Sequence, residues 1–204
     1  MRIGGGEAGG RRIGGRRRGQ AGLRPTSSRV RLAIFSMLGP GGLDGVDVLD
    51  LYAGTGAMGF EALSRGARRA EFVELNERRC KDITEAAERL GFTDRVTVLR
   101  GRCERITATL TDRFDVVFID PPYEDVPFAE VIGNLDNADA LNPDATIFAE
   151  HSVRTELEDR YGRLERTDQR RYGDSAVSTY RISEAFEDDR EVRSSTDRQD
   201  KQGT

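Results

Sequence analysis

Several residue types are scarce in this chain, and their scarcity excludes several classes of protein. Its 204 residues include two cysteines, one histidine and no tryptophan. Cys80 and Cys103 cannot supply the disulfide framework of a small secreted domain, and we expect them to be buried or inert thiols. A single histidine, His151, leaves no Cys/His cluster from which to build a metal site. We therefore expect no bound metal.

Long apolar runs are also missing. No run approaches the roughly 20 residues that a membrane-spanning helix needs. The N-terminus is rich in Gly and Arg and lacks the apolar segment of a secretory signal. A chain of 204 residues is long enough for one domain with a core of moderate size. We expect a cytoplasmic protein, a monomer with no membrane contact.

Lysine occurs only at Lys81 and Lys201, and the net charge of -4 conceals a basic N-terminus. Residues 1 to 31 hold nine arginines and one acid, Glu7. Gly/Arg-rich arms bind phosphate backbones without reading sequence. The candidate RNA contacts are Arg11, Arg12, Arg16, Arg17, Arg18, Arg24 and Arg29. The alternative is a solvated leader in a protein that prefers Arg to Lys.

Composition divides the chain into three parts. Residues 1–23 form the basic Gly/Arg-rich arm, in which we expect Arg11, Arg12, Arg16, Arg17 and Arg18 to be mobile until they bind RNA. Residues 24–183 form the folded domain. Residues 184–204 are polar and lack apolar periodicity, which predicts a disordered tail.

Within the domain, short apolar runs alternate with helical patterns. Strands are predicted at residues 46–52, 70–75, 96–99, 114–119 and 177–182. A helix is predicted over residues 77–91, where Ala86, Ala87 and Leu90 share one face. This alternation predicts an α/β fold, a doubly wound parallel sheet with helices on both of its faces.

A glycine-rich turn follows the first of these strands. Gly54-x-Gly56-x-x-Gly59, with Glu74 20 positions after Gly54, matches a dinucleotide fingerprint, so NAD is a real competitor as ligand. Asp50, however, places a carboxylate beneath the loop, where it would repel a pyrophosphate. Asp50, Glu74 and Asp120 together favour S-adenosylmethionine, which carries an ammonium and a sulfonium and no phosphate.

The strand at residues 114–119 runs into Asp120-Pro121-Pro122-Tyr123. Ligands of open α/β sheets bind just beyond the carboxyl ends of the strands. The Asp120 carboxylate and the Pro121 carbonyl, which the Pro-Pro pair restrains, could accept hydrogen bonds from the two hydrogens of an exocyclic amino group. Tyr123 offers a ring on which an unpaired base can stack. The alternative is a plain turn, since Asp-Pro and Pro-Pro are common turn dipeptides.

The stretch from Asp50 to Ala67 and the Asp120–Tyr123 motif resemble the RsmD family, the bacterial 16S ribosomal RNA (guanine(966)-N(2))-methyltransferases. Arg24-Pro25-Thr26-Ser27-Ser28-Arg29-Val30-Arg31, before a helix with Ile34, Phe35 and Leu38, and Arg171-Tyr172-Gly173-Asp174-Ser175 are similar to the same family. The resemblance runs from about Met1 to about Ser183.

The resemblance implies a Rossmann-like class I S-adenosylmethionine-dependent methyltransferase fold with a central, mostly parallel seven-stranded sheet. It implies methyl transfer to the N(2) amino group of a guanine in 16S ribosomal RNA, within an assembled or partly assembled small subunit. The implied catalytic residues are Asp120, Pro121, Pro122 and Tyr123. The implied donor-binding residues are Asp50, Tyr52, Ala53, Gly54, Thr55, Gly56, Glu74, Leu75, Arg102 and Cys103.

The chain departs from the family pattern after the third strand. The family usually has Gly-Asp-Ala there, with the acid contacting the donor's adenine, whereas this chain has Gly101-Arg102-Cys103. Two alternatives therefore stay open. One is an amino-methyltransferase for adenine in RNA or DNA, or for a protein glutamine; the other is a non-catalytic RNA-binding assembly factor.

Overall fold

The computed structural model describes residues 1–13, 28–39, 41–121 and 126–183. The helices in these ranges are α1 (Ser28–Leu38), α2 (Ala57–Ser64), α3 (Glu77–Leu90), α4 (Cys103–Thr107) and α5 (Phe128–Asn137), with a 3₁₀ turn at Thr93–Arg95. The strands are β1 (Asp47–Leu51), β2 (Arg69–Glu74), β3 (Val96–Arg100), β4 (Phe114–Ile119), β5 (Leu141–Ser152), β6 (Arg160–Tyr161), β7 (Leu164–Tyr172) and β8 (Ser175–Ile182).

All of these strands belong to one sheet, in the order β3-β2-β1-β4-β5-β8-β7-β6. The five strands β3, β2, β1, β4 and β5 are parallel to one another, whereas β8, β7 and β6 add an antiparallel edge. The α/β, mostly parallel fold is confirmed, but the count of seven strands is wrong. The described part of the chain has eight, because Arg160–Tyr161 pairs with β7 as a two-residue strand too short to give a pattern in the sequence.

The strand order reverses direction at β1. The chain leaves β1 for β2 and β3 on one side and returns to β4 on the other. Helices on opposite faces diverge at such a point and leave a crevice at the carboxyl ends of the two strands. The Gly54 loop follows β1 and Asp120 follows β4, so the two motifs of the sequence meet at this crevice.

The central strands of the sheet are buried on both faces. β1 is buried at all five positions, as expected for a parallel strand covered by helices. Helices α1, α2 and α3 cover one face, where the Phe35 and Phe118 rings lie 5.7 Å apart. Helices α4 and α5 cover the other face, where Phe128 and Leu135 are buried. These two layers hold the crevice at the top of β1 and β4 in a fixed shape.

Residues 1–13 pack on the domain, which corrects the expectation that this part of the arm is mobile. Ile3 and Ile13 are buried in the core, and Arg2 bridges Arg12 in antiparallel fashion. The buried Glu61 side chain accepts a hydrogen bond from the Gly4 N–H at 2.6 Å. Apolar Ile side chains in an otherwise polar leader are the physical reason, because burying them stabilises the packed form.

The expected boundary at residue 23 and the expected tail at 184–204 lie outside the described residues. Among the residues that are described, no helix is both long and apolar enough to cross a membrane.

Candidate active site

The loop between β1 and α2 has a left-handed backbone at Tyr52 (φ 58°), Gly54 (φ 57°) and Gly56 (φ 73°). At Gly56 a Cβ would lie 2.8 Å from the Phe60 ring, so a larger residue does not fit. A left-handed non-glycine residue such as Tyr52 costs on the order of 1–3 kcal/mol and needs support from its surroundings. Its N–H donates to the Cys103 sulfur at 3.3 Å, which ties the loop to α4.

The remaining loop residues are held by backbone contacts. The Ala53 N–H donates to the Val73 carbonyl at 3.0 Å, and the Gly56 N–H donates to the Ala53 carbonyl at 2.7 Å. Ala53 is buried, whereas Gly54 and Thr55 are half-buried. The backbone of Gly54 and Thr55 is therefore the part of this loop that a ligand in the crevice can reach.

Asp50 lies beneath this loop and is buried. Its Oδ2 accepts a hydrogen bond from the Gly59 N–H at 2.9 Å. Burial raises the pKa of Asp50 well above its usual range; the Gly59 hydrogen bond opposes this rise, and the charges of Asp120 and Glu74 add to it. Asp120 and Glu74 therefore both contribute negative potential at the buried Asp50 carboxyl.

Glu74 ends β2 beside the same loop. Its Oε2 accepts a hydrogen bond from the Gly54 N–H at 2.9 Å, and its Oε1 accepts one from the Asn76 N–H at 2.8 Å. Arg79 Nη1 lies 3.8 Å from Oε2. Each carboxylate oxygen has further lone pairs, so Glu74 can accept hydroxyl hydrogen bonds while it holds the loop.

Asp120 follows β4 on the other side of the crevice. β4 pairs with β1 through Leu51 and Ile119, and the Asp120 N–H lies 3.5 Å from the Leu51 carbonyl. Asp120 and Pro121 are both half-buried at the edge of the sheet. Pro122 and Tyr123, the other two predicted catalytic residues, lie outside the described residues.

The third wall of the crevice comes from the end of β2 and the start of α4. Leu75 is 59% exposed, an apolar side chain left open at the end of β2. Burial raises the pKa of the Cys103 thiol to about 12, so it is a neutral packing group rather than a nucleophile. Arg102 precedes α4, is exposed, and lies 3.4 Å from Glu104. Arg102 therefore stands at the position where the family usually has an aspartate.

Of the predicted RNA contacts, three are described. Arg11 donates to the Leu90 carbonyl at 3.0 Å and also to the Arg89 carbonyl, so it satisfies the last turn of α3. Arg12 is exposed in its bridge with Arg2, and Arg29 is exposed on α1. The other four are outside the described residues: Arg16, Arg17, Arg18 and Arg24. The RNA role of all seven stays a prediction.

Two features of the crevice escape sequence reasoning. The Tyr52 hydroxyl is buried and has no hydrogen-bond partner among the described residues. Asn76 caps α3 through its side chain, and its N–H holds Glu74 in place. An Asn after the acid that ends β2 is a visible capping signal that could have identified the second feature. Within the described ranges, no three metal-ligating side chains lie together.

The crevice residues fit S-adenosylmethionine by their chemistry. The charges of Asp120 and Glu74 oppose ionisation of the buried Asp50 carboxyl, and a bound cation would relieve that opposition. The ammonium and sulfonium of this molecule supply such charge. At Gly56 a Cβ would meet the buried Phe60 and Phe72 rings, so glycine lets the loop pack closely on the core beneath it.

The sheet order, the glycine-rich loop and the acids around it are those of a class I S-adenosylmethionine-dependent methyltransferase. The solved structure of yhhF from Escherichia coli superposes with a TM-score of 0.79 at 26% identity, over 90% of this chain and 98% of that one.

Residues 1–181 match the model of the family described as Conserved hypothetical protein 95. The chain is 34% identical to YlbH of Bacillus subtilis (strain 168) over 161 residues, which are 78% of this chain and 87% of that protein. It is 32% identical to ribosomal RNA small subunit methyltransferase D of Escherichia coli (strain K12) over 152 residues, 71% of this chain and 76% of that protein. The chain therefore belongs to the RsmD family.

Proposed function

We propose that this protein transfers a methyl group from S-adenosylmethionine to the exocyclic N(2) amino group of a guanine in 16S ribosomal RNA. The relative from Escherichia coli named for small-subunit ribosomal RNA methylation supports RNA as the acceptor. The observation that best supports methyl transfer to an amino group is the position of Asp120. It lies next to the Gly54 loop across the β1–β4 switch point, and its charge reaches the buried Asp50.

The chain's own groups divide into a donor side and an acceptor side. On the donor side, the Gly54 and Thr55 backbone would lie against the ligand, Glu74 would accept hydrogen bonds from its ribose hydroxyls, and Leu75 would cover the adenine. Asp50 and the acids near it balance its positive charge. S-adenosylmethionine would supply an electrophilic methyl group: its S–CH3 bond would break as the C–N bond forms, S-adenosylhomocysteine would leave, and the methylated nitrogen would lose one proton to water.

On the acceptor side, the amino nitrogen of guanine is a weak nucleophile because its lone pair is delocalised into the ring. The Asp120 carboxylate and the Pro121 carbonyl accept hydrogen bonds from its two hydrogens, which favours a pyramidal nitrogen whose lone pair is free. Pro122 restrains the Pro121 carbonyl, and Tyr123 stacks on the unpaired base. Such groups act by fixed position and preorganised charge.

The basic N-terminal residues are the second part of the proposed RNA contact. Their arginines supply phosphate contacts that carry no sequence information. A chain with few RNA-binding parts of its own would gain specificity from a folded target, so we propose an assembled or partly assembled small subunit as the substrate. We propose further that the protein acts in the cytoplasm as a monomer.

The test uses purified small subunits from a strain that lacks the gene, tritiated S-adenosylmethionine, and nucleoside mass spectrometry of the product. The wild-type protein should add one N(2)-methylguanosine to 16S RNA. Asp120→Ala should lower the transfer rate by at least about 10³-fold, a loss in the range of removing a preorganised group, while donor binding by calorimetry persists. Asp144→Ala is the matched control, an exposed acid at the opposite end of the sheet.

Methylation of an adenine or of a protein would contradict guanine as the target, but the assignment of the protein as a methyltransferase would stand. Absence of both transfer and donor binding by the wild-type protein would instead identify a non-catalytic assembly factor, for which the exposed Arg102 is the motivating feature.

A further inference from the structure

A second cavity lies at the same edge of the sheet as Asp120. Its volume is about 320 Å³, at the lower end of the range for small-molecule sites. The segment after β5 forms one wall, with Thr155 and Glu156, and the β7–β8 hairpin forms the other, with Gln169 and Arg171. None of these four residues belongs to the donor crevice or to the Asp120 motif.

Strand pairing brings the polar groups of the hairpin wall to one face. Across three neighbouring strands, Arg171 pairs with Ala176 and Ala176 pairs with His151, so their side chains share a face. Arg166 is five residues before Arg171, and an uninterrupted strand would put it on the opposite face. The register shift between Arg166 and Asp168 returns it to the cavity side, opposite Tyr180. Bulges commonly re-aim side chains in this way near functional sites.

The floor of the cavity is a fixed chain of hydrogen bonds. His151 Nδ1 lies 2.9 Å from the Ser152 carbonyl, which can only accept, so Nδ1 carries the proton. Nε2 then accepts from the Ser178 hydroxyl at 2.9 Å, and Ser178 accepts from Gln169 Nε2 at 3.2 Å. Burial lowers the pKa of His151. The floor is therefore neutral and rigid, and the charge comes from the walls.

The walls carry two arginines and one carboxylate. Arg166 donates to the Leu157 carbonyl at 3.1 Å and to Asp159, so it is held in place. Arg171 is exposed, and within the described ranges its guanidinium makes no hydrogen bond or ion pair. Glu156 is the opposing charge. An arginine whose guanidinium N–H groups are available is a typical phosphate ligand. A carboxylate can accept a hydrogen bond from a ribose 2′-hydroxyl.

The cavity stands close to the proposed target base. β5 pairs with β4 through Ala149 and Ile119, so His151 and Asp120 emerge at the same edge. Arg171 is three strand spacings from β4, about 15 Å at roughly 4.8 Å per spacing. Among the described residues, no Phe, Tyr or Trp lines the cavity, and the His151 ring is buried with both nitrogens hydrogen-bonded. A sugar–phosphate unit suits its size and its groups better.

We propose that this cavity binds one ribose-phosphate unit of the RNA substrate outside the target nucleotide, with Arg171 on the phosphate. The assignment rests on RNA being the substrate, as proposed above. Arg171 then contributes to the affinity for RNA and has no part in binding S-adenosylmethionine.

The test compares Arg171→Gln with Arg181→Gln, a matched control because Arg181 is an exposed arginine at the other end of the same hairpin. Equilibrium binding of labelled small subunits from a strain that lacks the gene is measured at several salt concentrations. Arg171→Gln should raise the dissociation constant about tenfold, as expected for one charged hydrogen bond. It should also reduce the slope of log affinity against log salt by about 0.7 for a single-stranded contact. Donor binding by calorimetry should be unchanged.

Equal RNA affinities for the two variants, within twofold, would overturn the assignment. A second contrary result is stabilisation of the wild type against heat by inorganic phosphate, lost in Arg171→Gln, with RNA affinity unaltered; the cavity would then hold a free anion. Binding is measured without methyl transfer, so the two proposals can fail separately. A wild-type protein that binds RNA but transfers no methyl group refutes the proposed function. The comparison of Arg171→Gln with Arg181→Gln still decides whether the cavity binds RNA.

Discussion

Glu74 Oε2 accepts a hydrogen bond from the Gly54 N–H at 2.9 Å, so the acid that ends β2 also shapes the loop that follows β1. The other oxygen holds the Asn76 N–H at the start of α3. One side chain therefore couples three elements around the crevice. A donor that contacts Glu74 meets a carboxylate already fixed at both oxygens.

Removing this carboxylate should separate its two tasks. Glu74→Ala leaves two backbone donors without their acceptor and should lower the free energy of unfolding by about 1–3 kcal/mol. Glu74→Gln keeps one acceptor and should lose little stability, but both variants should weaken donor binding about tenfold or more. Thermal unfolding and calorimetry measure the two effects. Glu88→Gln, at an exposed acid of α3, is the control. Unchanged donor affinity in Glu74→Gln would contradict the ribose contact.

The pH dependence of donor binding should reflect Asp50. Burial raises its folded pKa, so the folded protein without donor binds this proton more tightly than the unfolded chain. The contribution to stability is therefore lost as pH rises from about 4 through the folded pKa. A cationic donor favours the ionised carboxylate, so donor affinity should rise with pH over the same window.

Asp50→Asn should flatten both pH profiles and weaken donor binding, whereas Asp144→Asn should behave as wild type. Calorimetry in buffers of different ionisation enthalpy counts the protons released on binding. Unaltered proton release in Asp50→Asn would assign the linkage to another group.

Arg102 is the chain's departure from its family, and its charge can be reversed. Arg102→Asp restores an acid at the start of α4, where the family resemblance implies a contact with the donor's adenine amino group. We expect donor affinity to increase about three- to tenfold, as for one hydrogen bond. Arg105→Asp, an exposed arginine on the same helix, controls for the change in net charge. An equal gain in both variants would show a general charge effect instead.

Two helical glycines should respond in opposite directions to alanine. At Gly59 in α2, a Cβ would lie 2.4 Å from the Phe72 ring, whereas at Gly133 in α5 nothing lies within 4 Å. Gly59→Ala should cost about 1–3 kcal/mol through overpacking. Gly133→Ala should gain about 0.5–1 kcal/mol from helix propensity and reduced unfolded-state entropy. Chemical denaturation measures both, and a stabilising Gly59→Ala would show that Phe72 can move aside.

His151 is the chain's only histidine, so its titration can be assigned by one variant. Burial lowers its folded pKa, and the unfolded chain binds the proton more tightly. Its contribution to stability should be present above the unfolded value of about 6.5 and lost as pH falls below it. The difference in unfolding free energy between wild type and His151→Gln should shrink on going from pH 7.5 to pH 5. A constant difference would mean that His151 titrates normally in the folded protein.

The sequence by itself determined the parts of this protein that carry a periodic apolar signal. β4 was predicted at its observed bounds, and α3 to within one residue of its end. The Gly54 loop, Glu74 and Asp120 were identified as site residues because turn chemistry and strand ends are local features. Their position at the β1–β4 switch point follows from parallel pairing, which brings the carboxyl ends of neighbouring strands to one edge of the sheet.

Features that depend on pairing between distant segments of the chain are visible only in the tertiary structure. β7 is polar at almost every position from Glu165 to Arg171, and it is a strand because β8 supplies its hydrogen-bond partners. The bulge that turns Arg166 toward His151 has no signature in side-chain type. Ile3 and Ile13 could not be placed in the core until the α2 surface that receives them was known. Local sequence encodes periodicity and turns, whereas backbone pairing and packing join residues whose separation along the chain leaves no pattern to read.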